Sequence, residues 1–190
     1  MTRMQGSSIP KLYLDNISLK SFPIEINNFL SSKECNKIIN IAKKTELRHV
    51  REKNYFFRDI WISNNNKKLN KETDFLRSKI KKYFGTKKNK FEELCIRGYK
   101  RSGNMHPHYD GGKSSGPIWI YSLLFYLNDN FDGGSTHFTN INKYIKPCAG
   151  KLVIIRNLCK NKKRFYYRSK HRACPIKKGE KWISLQLIKK

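Results

Sequence analysis

The sequence predicts an α+β domain: two helices first, then a run of strands that pair antiparallel and close as a barrel or fold as a jelly roll. Three observations predict it. Apolar residues recur at helical spacing twice before residue 85, as Cys35, Ile38, Ile39, Ala42 and as Phe75, Leu76, Ile80, Tyr83. After Lys90 the texture changes to short runs of Ile, Val, Leu, Tyr, Phe and Trp separated by Gly, Asn and Pro. Those runs succeed one another without helical patterns between them, which favours antiparallel pairing over parallel βαβ units.

Taken in order, residues 1–20 mix Gly, Ser, Pro and charge without periodicity and read as a flexible leader. Residues 21–190 read as one domain, with helical support over 31–90 and a β core over 91–190. Phe22–Leu30 alternates like a strand. Ser31 and Ser32 offer an N-cap to a helix over Lys33–Leu47. Arg48–Ile62 is charged and aromatic, turns strand-like at Arg58, and is broken by Asn64, Asn65 and Asn66. A second helix starts near Asn70 and stops at Gly85. Strands are expected at Phe91–Tyr99, Met105–Tyr109, Pro117–Leu127, Thr136–Phe138, Lys151–Ile155, Phe165–Arg172 and Lys181–Ile188.

Composition narrows the function classes. With 38% hydrophobic residues, the 190-residue chain is no disordered tail. Forty-one Lys+Arg against 14 Asp+Glu give a net charge of +27, which excludes an acidic solvating protein and points to a polyanionic or acidic partner. Five widely spaced cysteines without a Cys-x-x-Cys pair make neither a disulfide framework nor a zinc ribbon; they read as small buried hydrophobes in a reducing compartment. The longest apolar run, Ile118 to Leu127, falls far short of the roughly 20 residues of a membrane span, and the start of the chain lacks a signal peptide's apolar stretch. A soluble, intracellular protein is the expectation.

Chemistry concentrates at His106-Pro107-His108-Tyr109-Asp110. Side chains at i and i+2 of a strand share a face, so His108 and Asp110 can converge on one metal ion. Alone the pair is a weak signal, and His106 shares the face and competes as a ligand. A second element runs from His171 to Lys181, which opens the last strand with Ile183, Leu185 and Leu187 on its face. If that face is interior, Lys181 needs an anion, and a bound anionic ligand is one answer. A solvated position at the strand's mouth is the other. Two His and a carboxylate with open positions make the facial triad of non-haem iron oxygenases.

In this order the sequence resembles the Fe(II)/2-oxoglutarate-dependent dioxygenases, specifically the prolyl 4-hydroxylase catalytic domain. The resemblance rests on Gly98-Tyr99, His108-Tyr109-Asp110, Tyr126-Leu127-Asn128-Asp129, Gly133-Gly134-Ser135-Thr136-His137-Phe138, Pro147-Cys148-Ala149-Gly150 and His171-Arg172-Ala173-Cys174-Pro175 running to Gly179-Glu180-Lys181-Trp182. Asn28-Phe29-Leu30-Ser31 matches the family's opening, so the likeness covers about residues 22 to 190. It implies a double-stranded β-helix (jelly-roll) core with iron held by His108, Asp110 and His171. It also implies Lys181 on the far carboxylate of 2-oxoglutarate, with Tyr99, Tyr126 and Thr136 as further cosubstrate contacts. The implied reaction consumes 2-oxoglutarate and O2, releases succinate and CO2, hydroxylates an unactivated C–H bond, and takes ascorbate (vitamin C) as reductant. Lys rather than Arg at position 181 favours the prolyl branch over lysyl hydroxylases.

Three departures fall on the substrate side. Trp119 stands where relatives carry an Arg, Leu187 replaces a Trp, and Ser135 replaces a Glu. Between Gly133 and Gly179 there is no Asp or Glu, against 13 Lys+Arg. Its densest part, Lys160 to Arg172, interleaves Phe165, Tyr166 and Tyr167 with basic residues. Trp119, Lys163, Arg164 and Arg168 are therefore candidates for the mouth of the site. The partner is a protein or peptide, with acidic character favoured by the charge. A single strand of nucleic acid is the alternative, since bases stack and phosphates pair, and a solvated basic face or a non-catalytic binding module are the others.

Overall fold

The computed structural model describes residues 18–52, 55–62, 66–84, 90–110, 119–159 and 164–189. Nearly all of the expected leader, Gly85, the start of the expected strand at Pro117, and Lys160, Lys162 and Lys163 lie outside these residues.

After a short strand β1 (Ile24–Ile26), helix α1 spans Ser32–Lys43. Ser31 caps it reciprocally: its hydroxyl accepts from the Glu34 amide at 3.2 Å and its own amide donates to the Glu34 carboxylate at 2.7 Å. The helix ends before Leu47 because the Thr45 hydroxyl turns back onto the Ile41 carbonyl at 2.8 Å and the chain enters strand β2, Arg48–Glu52. Helix α2 spans Lys67–Phe84, beginning ahead of Asn70 because the Asn66 side chain accepts from the Leu69 amide at 3.1 Å. Both helices bury one stripe, including Cys35, Ile38, Ala42, Leu76, Ile80 and Phe84.

The remaining strands are β3 (Tyr55–Ile62), β4 (Lys90–Tyr99), β5 (Asn104–His108), β6 (Trp119–Tyr126), β7 (Asp132–Gly133), β8 (Thr136–Phe138), β9 (Lys143–Ile145), β10 (Leu152–Arg156), β11 (His171–Ala173), β12 (Ile176–Lys178) and β13 (Lys181–Lys189). One sheet runs β1-β10-β6-β13-β4-β3-β5-β11-β8-β9, with β2 beside β3; β7 and β12 form a separate pair. The pairings are antiparallel. The sheet folds back on itself. Strands β6 and β8 stand far apart along that order, yet the Tyr126 and Thr136 hydroxyls meet at 2.6 Å.

This curl makes two cores. The helices cover the outer face over Phe29, Leu94, Ile96, Phe125, Trp182 and Ile188. The fold's interior holds Cys95, Tyr99, Leu124, Tyr126, Phe138, Ile155, Ile183 and Leu185. Strand β13 therefore buries both faces, with Lys181, Ile183 and Leu185 turned inward.

Several expectations are corrected. Within the helical support over 31–90, the strand-like character expected from Arg58 begins earlier: β2 and β3 form a hairpin, and β3 sits between β4 and β5 in the main sheet. Both faces of β3 are apolar enough for that place, Ile60 and Ile62 toward the helices and Phe57 and Trp61 toward the interior. Phe165–Arg172 is not a strand. Phe165 makes a single bridge to Leu158, Tyr167–Ser169 is a 3-10 turn closed by the Ser169 hydroxyl on the Tyr166 carbonyl at 2.7 Å, and pairing resumes only at His171. All five cysteines are free, but only Cys35 and Cys95 are buried. Among the described residues no helix is long and apolar enough to cross a membrane.

Candidate active site

Antiparallel pairing sets His108 at the end of β5 directly opposite His171 at the start of β11. The two rings lie 4.5 Å apart, tilted by 52°. Asp110, just past β5, turns in beside them: His108 Nε2 is 3.3 Å from Asp110 Oδ1, and His171 Nε2 is 3.8 Å from Asp110 Oδ2. The ligand atoms of the three residues all fall within 4.8 Å of one another. Each imidazole is oriented from behind, His108 Nδ1 donating to the His106 carbonyl at 2.7 Å and His171 Nδ1 to the Ser169 carbonyl at 2.8 Å. That assigns the proton to Nδ1 and leaves both Nε2 lone pairs facing the carboxylate.

Burial opposes ionisation of Asp110, yet the two imidazoles outweigh it and hold the carboxyl well below its usual range. Burial likewise works against a charged His108, but the adjacent carboxylate raises its pKa overall; His171, more deeply enclosed, is lowered by burial. Asp110 Oδ2 is a buried oxygen without a hydrogen-bond partner. A carboxylate with an oxygen left so, beside two imidazole nitrogens, is a donor set that would fit a divalent cation such as Fe(II). His106 lies outside this cluster and is exposed.

The same cleft holds Lys181. Its side chain is buried, and burial lowers its pKa to about 7. Nζ donates to the Gly134 carbonyl at 2.6 Å and lies 5.3 and 5.2 Å from the ring centres of Tyr99 and Tyr126. No carboxylate of the described residues pairs with it. The solvated-mouth alternative for Lys181 is thereby excluded. Gly134 has φ +67°, and a Cβ there would meet Ile176 Cδ1 at 2.5 Å and Lys181 Cδ at 3.2 Å, so only glycine lets the carbonyl reach the ammonium. Tyr99, Thr136 and Lys181 line the cleft, and Tyr126 is tied into its wall through Thr136. Leu124, Ile155, Ile183 and Leu185 supply the apolar remainder.

The candidates for the mouth are dispersed. Trp119 is half-buried at the start of β6, seven residues from Tyr126 and paired with Lys189 rather than with the Lys181 end of β13. Arg164 is exposed, and Arg168 is half-buried with Nε donating to the Phe22 carbonyl at 3.2 Å. Lys163 lies outside the described residues.

One group in the cleft escaped the sequence. Arg97 lines it, nearly buried over the Phe57 ring at 4.0 Å. Its Nη2 donates at 3.2 Å to Asp59, which is fully buried and also accepts from Arg48 and Trp61. The only available signal was alternation along β4, which puts Arg97 on the face of Tyr99.

Comparison with known proteins agrees with this geometry. A family model described as the 2OG-Fe(II) oxygenase superfamily matches residues 94–188, half of the chain. A protein of Acanthamoeba polyphaga mimivirus, named by similarity as a prolyl 4-hydroxylase, is 26% identical over 177 residues, covering 85% of this chain and 72% of its own. The α-1 subunit of Gallus gallus prolyl 4-hydroxylase is 32% identical over 102 residues, 49% of this chain and 20% of the subunit. The chain thus matches only about a fifth of that subunit's length. A viral collagen prolyl hydroxylase from Paramecium bursaria Chlorella virus-1, solved with 2OG, superposes with a TM-score of 0.69 at 24% identity, over 86% of this chain and 93% of its own, a likeness of fold.

Proposed function

Because the chain belongs to the 2OG-Fe(II) oxygenase superfamily and is an enzyme of that class, we propose that it hydroxylates prolyl residues of a protein substrate through His108, Asp110, His171 and Lys181. The observation that carries the reading is one cleft holding both an incompletely bonded His-Asp-His cluster and a buried ammonium with no carboxylate partner. The relatives named prolyl 4-hydroxylase supply the prolyl part.

Iron(II) held there, with 2-oxoglutarate and O2, supplies oxidative decarboxylation to succinate and CO2 coupled to hydroxylation of a C–H bond. The protein's own residues do the rest. His108 and His171 present Nε2 in fixed orientation because carbonyls hold their Nδ1 protons. Asp110 contributes the negative charge that makes the cluster a cation site. Lys181 takes the distal carboxylate of 2-oxoglutarate, with Tyr99 and the Tyr126–Thr136 pair beside it. Leu124, Ile155, Ile183 and Leu185 exclude water from the cosubstrate's methylenes. Ascorbate would serve as the reductant.

The test is reconstitution with Fe(II), 2-oxoglutarate and ascorbate in air, with and without proline-rich peptides. Succinate release and a +16 Da product at proline are expected. Succinate formation that no proline-containing peptide stimulates would remove the prolyl assignment while leaving the oxygenase class intact.

A further inference from the structure

Resting on the prolyl reading, we propose that the substrate is an acidic, proline-containing segment in extended conformation, bound along an aromatic and basic ledge beside the metal ligands. The ledge starts at Tyr109, which lies between His108 and Asp110 in the chain. Its ring stacks on Phe165 at 4.8 Å and 10°. Asn140 joins the two sides, donating from Nδ2 to the Tyr109 hydroxyl at 3.1 Å and to the Tyr167 carbonyl at 2.9 Å.

Two observations point to a ligand. The first is exposure. The large hydrophobic residues that stand in solvent are Tyr144 at 55%, Phe165 at 42% and Tyr167 at 62%, and no other described residue joins them. All three fall in the stretch without acidic residues between Gly133 and Gly179. Phe165 and Tyr167 are tied to the metal-ligand segment through Tyr109 and Asn140, whereas the Tyr144 ring is stacked on His137 at 3.9 Å; the other described aromatics are buried or half-buried. The second is charge. Arg164 and Lys170 flank the ledge in a chain of net charge +27, and nothing acidic lies within that stretch to neutralise them.

Exposed, flat aromatic faces suit proline rings, which dock on aromatics in preformed extended helices at little entropic cost. Flanking cations select carboxylates on either side of the proline. Both features are met by Asp- and Glu-rich proline segments. Basic or neutral proline repeats meet only the first.

The experiment uses three labelled peptides of one length, each with a central proline tract flanked by Glu, Gln or Lys. Binding is read by fluorescence anisotropy, and turnover as the ratio of peptide-coupled to peptide-free 2-oxoglutarate decarboxylation. The acidic peptide is expected to bind about tenfold tighter than the neutral one, and Arg164→Glu with Tyr167→Ser to abolish that preference. Acidic preference in binding without hydroxylation of any peptide would support the ledge and sink the prolyl reading. Equal binding of the three peptides would overturn this inference and leave that reading standing. Displacement of the acidic peptide by a single-stranded oligonucleotide at far lower concentration would also overturn it, in favour of a nucleic-acid ledge.

Discussion

The inner end of the cleft and its outer ledge are built on opposite terms. Inside, Lys181 is buried to 1% exposure with one hydrogen bond, to Gly134, and Asp110 keeps a buried oxygen unbonded. Outside, Phe165, Tyr167 and Arg164 stand in solvent, where charges are screened and contacts are shared with water. Each group inside is desolvated in advance, so loss of one atom should be felt at nearly full strength. Groups on the ledge act by summation, and none should be indispensable. The difference teaches where single substitutions will read out and where only combined ones will.

The contrast breaks most readily at the metal cluster. His171→Ala or Asp110→Ala should lower Fe(II) or Mn(II) affinity by at least about 100-fold and abolish turnover, because three ligands leave none to spare. His106→Ala should keep the metal. Metal titration of the purified variants checks this, and near-normal binding in either ligand variant removes that residue from the set.

Lys181→Ala comes next. Leaving a carboxylate without its buried cation costs about 3 kcal/mol, or roughly 100-fold. The 2-oxoglutarate requirement should rise by that factor with metal affinity unchanged. Lys181→Arg should rescue poorly, since the planar fork is larger and would displace the contact to Gly134. Normal 2-oxoglutarate binding by Lys181→Ala would show that the inner end works like the ledge.

That split between inside and outside was unevenly legible in the sequence. His108, Asp110, His171 and Lys181 sit in short local motifs; pairing of β5 with β11 brings the two histidines opposite each other, and Lys181, on β13 beside β4 and β6, reaches the same cleft because the sheet curls. The capped start of α1 was legible for the same reason, since a cap is a matter of four residues. The place of β3 between β4 and β5 was not, because it depends on partners some 40 residues away that periodicity does not identify. The Asp59–Arg97 pair was hidden by the same distance. Phe165–Arg172 misled in a different way: its run of three aromatics has strand-like propensity, while the Ser169 side chain closes a turn instead.

The burial of Lys181 gives the inner end a pH signature that the ledge lacks. Its pKa, ordinarily 10.5, stands at about 7 without ligand, so above pH 7 most molecules carry a neutral amine. A bound dianion favours the ammonium, so binding must take up a proton there. Affinity for 2-oxoglutarate should therefore fall about tenfold per pH unit above 7 and level off below it. Calorimetry at pH 8 in buffers of different ionisation heat should show uptake approaching one proton. A flat profile from pH 6 to 9 would mean that the amine is charged throughout.

The smallest effect belongs to the ledge, and salt isolates it. Arg164 and Lys170, with Lys160, Lys162 and Lys163 from the same stretch, act on an acidic substrate at a distance. The Debye length shrinks from about 30 Å at 0.01 M to about 8 Å at 0.15 M. Coupled turnover at low substrate should fall several-fold across that range, mainly through slower association. Decarboxylation without peptide depends on groups already removed from solvent, so it should change little. Replacing four of these cations by Gln should flatten the coupled curve and leave metal titration as it was. A short acidic peptide should give a shallow dependence, whereas nucleic acid should give a steep log-linear slope from counterion release. If coupled and uncoupled rates respond to salt alike, the basic stretch is a solvated face, and inside and outside differ only in burial.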